Sequence, residues 1–428
     1  MSPKVVKTKK MRTQKFHLNA VHGSLEYCLA ILNPKAVPVD LYLEPTTLCN
    51  LKCSACPTGE GLQEIKERTE LSIIKNFYEE YSQYLVKWHL FNWGEPTLHK
   101  DFSSILNLLS QGSFDLHISS NFSLPLDNEA LESIYSALTR NLILKIDMDG
   151  FTSHTQSEYR KGSKIEIVKE NCRKLSSLVK SRSNRIRIPW IAFLEFPHNL
   201  HELDECKNFA NDLGFTFKAY DSPYIKGQGY SPVSLKALEA KQGCAWLYSC
   251  LLVSPLSTKL LPCCGVWSDK HSIPLDDSTA SKAYHTWSQS KLMNSRRKLS
   301  QKRQDYSSSQ LNTIFSFNNA NTSGMDLNQS NDTVDKCVTC QLGGVYHQGK
   351  SLFYNTSSNY VKSRFPGIFD LYNSILFKLE DKKNIRAIRY LQDTILQLNE
   401  NLADKSPSER SINDYSVLIQ RLSDLPNI

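Results

Sequence analysis

Along the first half of the chain, apolar and polar positions follow two interleaved rhythms. Short runs that alternate or are continuously apolar read as strands: Val39–Glu44, Lys87–Asn92, Phe114–Ser120, Leu142–Asp147, Arg185–Phe196 and Phe215–Tyr220. Between them, Leu71–Leu85, Phe102–Leu109, Asn128–Leu138, Ile165–Val179 and Leu200–Leu213 place apolar residues three and four apart, the mark of a helix with one buried face. Asp127 and Asn199 read as helix starts and Gly214 as a helix stop, and a helical-looking lead over Gly23–Leu32 precedes the first strand. Strand and helix in alternation predict an α/β fold with a parallel sheet and right-handed crossovers.

Beyond about residue 225 this alternation stops. Residues 300–334 are rich in Ser, Asn and Gln without periodicity, which predicts a disordered insertion. From Pro366 onward, apolar spacing returns (Ile368, Leu371, Ile375, Leu379, then Ile385, Ile388, Leu391, Ile395, Leu398) and predicts a helical tail for packing or oligomerisation rather than catalysis.

Composition narrows the class. The 428 residues are 40% hydrophobic, enough for a packed core, and no apolar run approaches the ~18 residues of a membrane span. The first ten residues lack the apolar centre of a signal peptide, so a cytoplasmic protein is expected, with no membrane partner. Net charge is +8, and Lys4, Lys7, Lys9, Lys10, Arg12 and Lys15 carry six of those charges on a short arm, read as a solvated tail; nucleic acid is not an expected partner. Twelve Cys without an export signal favour metal ligation over disulfides. Cys172 and Cys206 sit in helical patterns and read as small buried hydrophobes.

Cys28 also stands alone, and the other nine thiols fall into three groups. Cys49, Cys53 and Cys56 follow the first predicted strand directly, and three soft sulfur donors on one short loop suit iron–sulfur or zinc. Three ligands leave one iron of a four-iron cluster open for chemistry. This CxxxCxxC loop resembles that of the radical S-adenosylmethionine enzymes, and later strand ends carry matching features. Gly94-Glu95-Pro96 resembles the GGEP motif, Ser119-Ser120-Asn121 the T-N-G motif, and Asp147-Met148-Asp149-Gly150 the S-x-D-G motif; Tyr159-Arg160 stands where many relatives have Y-R.

The resemblance covers roughly Val39 to Cys340 and implies a partial (β/α)6 barrel of TIM type with its site at the C-terminal strand ends. It implies a [4Fe-4S] cluster on Cys49, Cys53 and Cys56, with Gly94, Glu95, Ser120, Asn121, Asp149 and Arg160 around S-adenosylmethionine. Glu95 would meet its ammonium, and Arg160 suits its carboxylate. Two positions depart from the pattern: Ala55 stands where an aromatic residue usually meets the adenine, and Trp93 replaces the first Gly of GGEP.

Cys244 to Cys250, Leu261-Pro-Cys263-Cys264-Gly265, the helical run from Ala283 and Cys337-Val-Thr-Cys340 resemble the SPASM and Twitch auxiliary-cluster extensions, with the shorter Twitch arrangement fitting the Cys count. The favoured ligands of one auxiliary cluster, expected as [4Fe-4S], are Cys244, Cys263, Cys337 and Cys340; Cys264 or Cys250 could substitute, and a structural zinc on the same thiolates is the alternative. The domain organisation expected is a basic arm and lead helix over 1–36, a radical S-adenosylmethionine core over 37–225, a SPASM/Twitch-like domain over 226–345 and a helical tail over 346–428.

The function implied is reductive cleavage of S-adenosylmethionine to a 5′-deoxyadenosyl radical that abstracts a substrate hydrogen. The expected substrate is a small molecule such as a sugar or aminocyclitol, a ribosomal peptide being the alternative, with an electron donor such as flavodoxin or ferredoxin. An auxiliary cluster implies net oxidation; an epimerase-like reaction with Cys250 or Cys264 as hydrogen donor is the other outcome. The competing class is a non-catalytic, zinc-stabilised binding module in which His99 joins the three Cys.

Overall fold

The six strands read from the sequence lie side by side in chain order in one sheet. The computed structural model describes residues 14–29, 31–54, 56–61, 66–182, 184–221, 224–225, 229–230, 246–254, 259–262, 272–275, 280–302 and 385–424. Ala55, Cys244, Cys263, Cys264, Cys337 and Cys340 lie outside them, as do the arm before Gln14 and the Ser/Asn/Gln-rich insertion beyond Lys302.

In chain order the elements begin with α1 (Gln14–Cys28), β1 (Asp40–Leu43), α2 (Leu71–Tyr81), β2 (Lys87–His89), α3 (Phe102–Leu109), β3 (Asp115–Ser120), α4 (Asn128–Leu138) and β4 (Leu142–Asp147). They continue with α5 (Ser153–Tyr159), α6 (Ile165–Lys180), β5 (Trp190–Glu195), α7 (Leu203–Leu213), β6 (Thr216–Asp221) and a small hairpin of β7 (Tyr224–Ile225) and β8 (Gly229–Tyr230). Then come α8 (Trp246–Ser249), β9 (Cys250–Val253), β10 (Lys259–Leu261), β11 (Ile273–Pro274), α9 (Ala280–Gln289), α10 (Lys291–Lys302), α11 (Ile385–Asn401) and α12 (Ser416–Asp424).

Strands β1 to β6 pair in parallel, as strand–helix alternation requires. The order β11-β10-β9-β1-β2-β3-β4-β5-β6 is linear, so the barrel is open among the described residues. Its first edge is extended by β9, parallel to β1 with Asp40 opposite Cys250, and by the antiparallel β10 and β11. Periodicity predicts neither this docking nor its register, because edge pairing depends on where the chain returns.

Two faces of the sheet differ in burial. Leu41, Trp88, Leu116 and Leu142 occupy matched positions on β1 to β4 and are fully buried in one core with Ile74, Phe77, Ile105, Leu106 and Ile134 of the covering helices. Each such side chain contributes about 1.5–3 kcal/mol. The alternate positions, Asp115, His117 and Ser119 on β3 or Ile143 and Lys145 on β4, are only partly buried and form the lumen face.

Local signals act as their chemistry dictates, with two exceptions. Asp127 caps α4 by accepting from the Ala130 amide at 2.8 Å, and Gly214 at φ 76° closes α7. Asn199 instead precedes a single 3₁₀ turn, Leu200–Glu202, and its Nδ2 donates to the carbonyls of Asp149 and Leu194. The lead helix runs over Gln14–Cys28 rather than Gly23–Leu32; beside the apolar Phe16, Leu18, Val21 and Leu25 it buries polar residues whose partners are distant, since Asn19 bonds Val37, Glu26 accepts from the Lys35 and Ala36 amides, and His22 meets Asn399 at 2.7 Å. That last contact places the tail helices on α1, with Tyr84 donating to Pro407 and Arg410 to Lys35. The tail thus packs beside the segments entering β1 and β2, at the ends of the strands away from the Cys loop. No helix among the described residues is long and apolar enough to cross a membrane.

Candidate active site

The loop bearing Cys49, Cys53 and Cys56 leaves the C-terminal end of β1 and is fixed by backbone contacts on several sides. Lys52 and Ser54 amides donate to the carbonyls of Lys161 and Tyr159, the Cys56 amide to Cys53, and the Thr47 amide to Glu67. Gly59 is tucked so closely beneath the loop that a Cβ there would lie 2.3 Å from the Cys53 carbonyl oxygen. All three thiols are free and partly exposed, unlike the fully buried Cys172 and Cys206, which pack as small hydrophobes.

Around Cys49 the expected motif residues converge. Glu95, 2% exposed, accepts from Ser120 Oγ and Thr97 Oγ1 at 2.7 Å through Oε1, and from the Asn121 amide at 2.8 Å through Oε2. Asn121 Nδ2 then donates to Asn50 Oδ1 at 2.9 Å and approaches Cys49 Sγ at 3.9 Å, while the Leu51 amide lies 3.4 Å from the same sulfur. Ends of β2 and β3 are thereby tied to the thiol loop. Gly94 is obligatory, since a Cβ would fall 1.8 Å from the Thr46 carbonyl, whereas the preceding position joins the turn through its amide, a bond that Trp93 makes as a Gly would.

Sequence reasoning missed the anchor of that turn. Glu44, at the end of β1, accepts the Trp93 and Gly94 amides at 2.8 and 2.9 Å through one oxygen. Burial pushes its carboxyl up to about 7 against those hydrogen bonds. Its place directly after the buried Leu41 and Leu43, as a carboxylate where the strand meets the Cys loop, was the available signal.

Around Cys53 lies a charged group. Arg160 Nε donates to Asp149 Oδ2 at 2.6 Å, and its guanidinium is 3.7 Å from Asp147 Oδ1. Asp149 also accepts the Leu194 amide through Oδ1, and its own amide is held by Gln156. Asp147 receives Ser119 Oγ and Lys145. Burial would raise the Asp147 carboxyl, but Lys145 and Arg160 hold it below the usual range; for Asp149 burial wins and raises it. Burial also raises the thiols, Cys49 to about 12 and Cys53 to about 11, with the Arg160 charge opposing it at Cys53. Without a metal at the loop Cys49 and Cys53 favour the protonated thiol, so ligation there would be coupled to loss of their protons.

Helix α5, which the apolar spacing does not reveal, delivers Tyr159 and Arg160. Its polar sequence is held by Glu202, which accepts from the Phe151 and Thr152 amides and from the Thr152 and Thr155 hydroxyls.

His99 is already engaged: Nδ1 accepts the Asp101 amide at 3.0 Å, so Nε2 is the donor to the Thr69 carbonyl at 2.9 Å. It is not free to complete a zinc site. Among the described residues no three His, Cys, Asp or Glu side chains converge as a single ion would require, whereas a cluster takes its thiolates on separate irons. Of the auxiliary set, only Cys250 is described; it is buried at the start of β9.

No family model matches the chain, and no curated protein matches it. Among solved structures it is similar to Streptococcus suis SuiB, at TM-score 0.48 and 12% identity over 61% of this chain and 68% of that one. It is also similar to anSMEcpe with bound AdoMet (TM-score 0.44, 15% identity, 61% and 84% covered) and to BtrN in complex with AdoMet and 2-DOIA (TM-score 0.37, 13% identity, 63% and 90% covered). These neighbours are radical S-adenosylmethionine enzymes.

Proposed function

We propose that the chain is a radical S-adenosylmethionine enzyme in which Cys49, Cys53 and Cys56 hold a [4Fe-4S] cluster. One observation carries the reading: hydrogen bonds from Glu44 to Gly94, from Glu95 to Ser120 and Asn121, and from Asn121 to Asn50, linked through the Gly94-Glu95 peptide, join three successive strand ends to the thiol loop. A structural turn or a solitary cap needs no such convergence. When bound, the cluster would supply one electron to the sulfonium of S-adenosylmethionine, whose cleavage gives the 5′-deoxyadenosyl radical that removes a substrate hydrogen.

The chain's own residues position and screen. The Leu51 amide and Asn121 Nδ2 face the Cys49 sulfur and favour its anionic form. Glu95 holds the Gly94 turn against β3, and its Oε2, which accepts the Asn121 amide, retains a lone pair for an ammonium donor. Asp149 fixes Arg160 through Nε, and the guanidinium, with Nη2 3.7 Å from Asp147, would meet a carboxylate through its remaining N–H groups.

The finer reading is oxidation of a small hydroxylated molecule by a cytoplasmic enzyme fed by flavodoxin or ferredoxin, with an auxiliary cluster on Cys244, Cys263, Cys337 and Cys340; a peptide substrate is the alternative. Sequence spacing supports the second cluster. Anaerobic reconstitution followed by dithionite should yield 5′-deoxyadenosine and about eight irons per chain. Replacing Cys49, Cys53 and Cys56 by Ala should abolish the product; undiminished formation would overturn the assignment.

A further inference from the structure

The lumen face of the sheet carries a layered set of side chains that the rim chemistry does not use. Lowest stand Asp40, Lys87 and Asp115 in register, with Arg187 2.9 Å from Asp115. One pleat higher, Tyr42, His89 and His117 are matched across β1, β2 and β3. Their rings stack in series, Tyr42 on His89 at 3.9 Å and 8°, His89 on His117 at 5.0 Å and 28°. Above them come Ser119, Lys145 and Trp190, then Asp147 beside Arg160 at the rim. The imidazoles therefore sit about 7 Å below the Ser119 level, within reach of a small molecule held under the thiol loop.

Two features of this layer point to a ligand. His89 is 9% exposed, yet its Nδ1 has no hydrogen-bond partner among the described residues; the same holds for His117 Nε2 and Trp190 Nε1. Buried ring nitrogens left unmatched destabilise a fold; Trp88 Nε1 in the core on the other face is unmatched too, but His89, His117 and Trp190 share the one face of the sheet that is partly open to a ligand. Both imidazoles are also neutral: burial and the neighbouring charges push His89 far below its ordinary value and His117 to about 4. A neutral imidazole offers one donor and one acceptor, complementary to a hydroxyl and of little use to an anion. Of the lumen cations, Lys145 is engaged by Asp147, Arg160 by Asp149 and Arg187 by Asp115, and Lys218 lies over the Trp190 ring at 3.4 Å.

We propose that His89 and His117, with Trp190 across the lumen, form the wall of a substrate chamber that takes a small, uncharged, polyhydroxylated ring. The imidazole nitrogens match its hydroxyls, and the Trp190 ring, which carries Lys218 on one face, offers the other to its C–H groups. This rests on the radical reading of the rim, because only that reading puts a substrate beneath the Cys loop.

The test uses the full chain, reconstituted anaerobically, with myo-inositol, scyllo-inositol and D-glucose as probes and tetra-alanine as the peptide control. Binding is followed by saturation-transfer NMR and its consequence by the ratio of 5′-deoxyadenosine formed with and without probe. At least one ring should bind and raise that ratio, and H89F or H117F should weaken its binding about tenfold or more and return the ratio to one. The same variants should keep or raise the melting temperature, since Phe removes an unmatched nitrogen while filling the space; a structural His would give a fall. Absence of binding by all three rings, a response to tetra-alanine alone, or Phe variants that melt lower or bind unchanged would overturn the chamber. A wild type that binds a ring through these imidazoles but forms no 5′-deoxyadenosine would support the chamber and sink the radical chemistry instead.

Discussion

Arg160 donates through Nε to Asp149 Oδ2 at 2.6 Å, so the cation facing Cys53 is held in place by a carboxylate that β5 also anchors through the Leu194 amide. Both partners are almost wholly buried. Removing one leaves the other charged and unpaired, which costs on the order of 3–5 kcal/mol. R160A should therefore lower both stability and 5′-deoxyadenosine formation. The R160A/D149N double variant should regain much of the stability, by urea denaturation, but none of the product. Recovery of both together would reduce the pair to a structural role.

Glu95 accepts four hydrogen bonds, three at Oε1 and one at Oε2. E95Q keeps the shape, yet either orientation of the amide turns an NH₂ toward a backbone N–H, that of Thr97 or of Asn121. The conflict costs about 1–3 kcal/mol and pushes Asn121 away from Asn50 and Cys49. We expect at least about a tenfold loss in the rate of S-adenosylmethionine cleavage. S120A, which removes one donor of four, should cost less than E95Q; the reverse order in the cleavage assay would show that Ser120 rather than Glu95 organises the turn.

Strands and helices that bury one face were legible because that burial is written into local spacing: α3, α4 and β4 occupy the residues their periodicity marks. That Glu95, Ser120, Asn121 and Cys49 would lie near one another was legible for a different reason, since the C-terminal ends of parallel strands meet wherever the sheet forms. What stayed hidden depends on distant partners. The polar face of α1 is stable only because Asn399, Val37 and the Lys35 amide meet it, and Glu44 acts as a clamp only because the amides of Trp93 and Gly94 arrive beneath it. The lumen row of Tyr42, His89 and His117 likewise requires strand register, which no single strand encodes.

Gly59 has no room for a side chain: a Cβ would sit 2.3 Å from the Cys53 carbonyl and 2.6 Å from its nitrogen, both backbone atoms that move only with the loop. G59A should thus shift Cys53 away from Cys49 and Cys56 while leaving the sheet intact. Iron per chain after reconstitution should fall by the content of one cluster, with the circular dichroism of the barrel unchanged. Gly61, at φ 74° with open space around it, is a control of another kind, since G61A is strained but has no contact with the Cys loop. Its iron content should stay at the wild-type value. Equal iron in G59A and wild type would mean that the loop is not held by Gly59.

Glu44 links the same turn to pH. In the folded chain burial raises its carboxyl to about 7 from an ordinary 4.5, so the folded state holds that proton more tightly than the unfolded chain between those values. The stability it contributes is fully present below pH 4.5 and is lost as pH rises through about 7, a swing on the order of 3 kcal/mol. E44Q has nothing to titrate there, and its carbonyl can still accept the Trp93 and Gly94 amides, which bond a single oxygen in the native chain. Subtracting the urea-denaturation stabilities of E44Q from those of the wild type across pH 4.5 to 8 removes the contributions of all other groups. The difference should decline with increasing pH and level off above about 7. A flat difference would show that the backbone donors outweigh burial and keep Glu44 ionised, and the Gly94 turn would then be clamped by a carboxylate throughout that range.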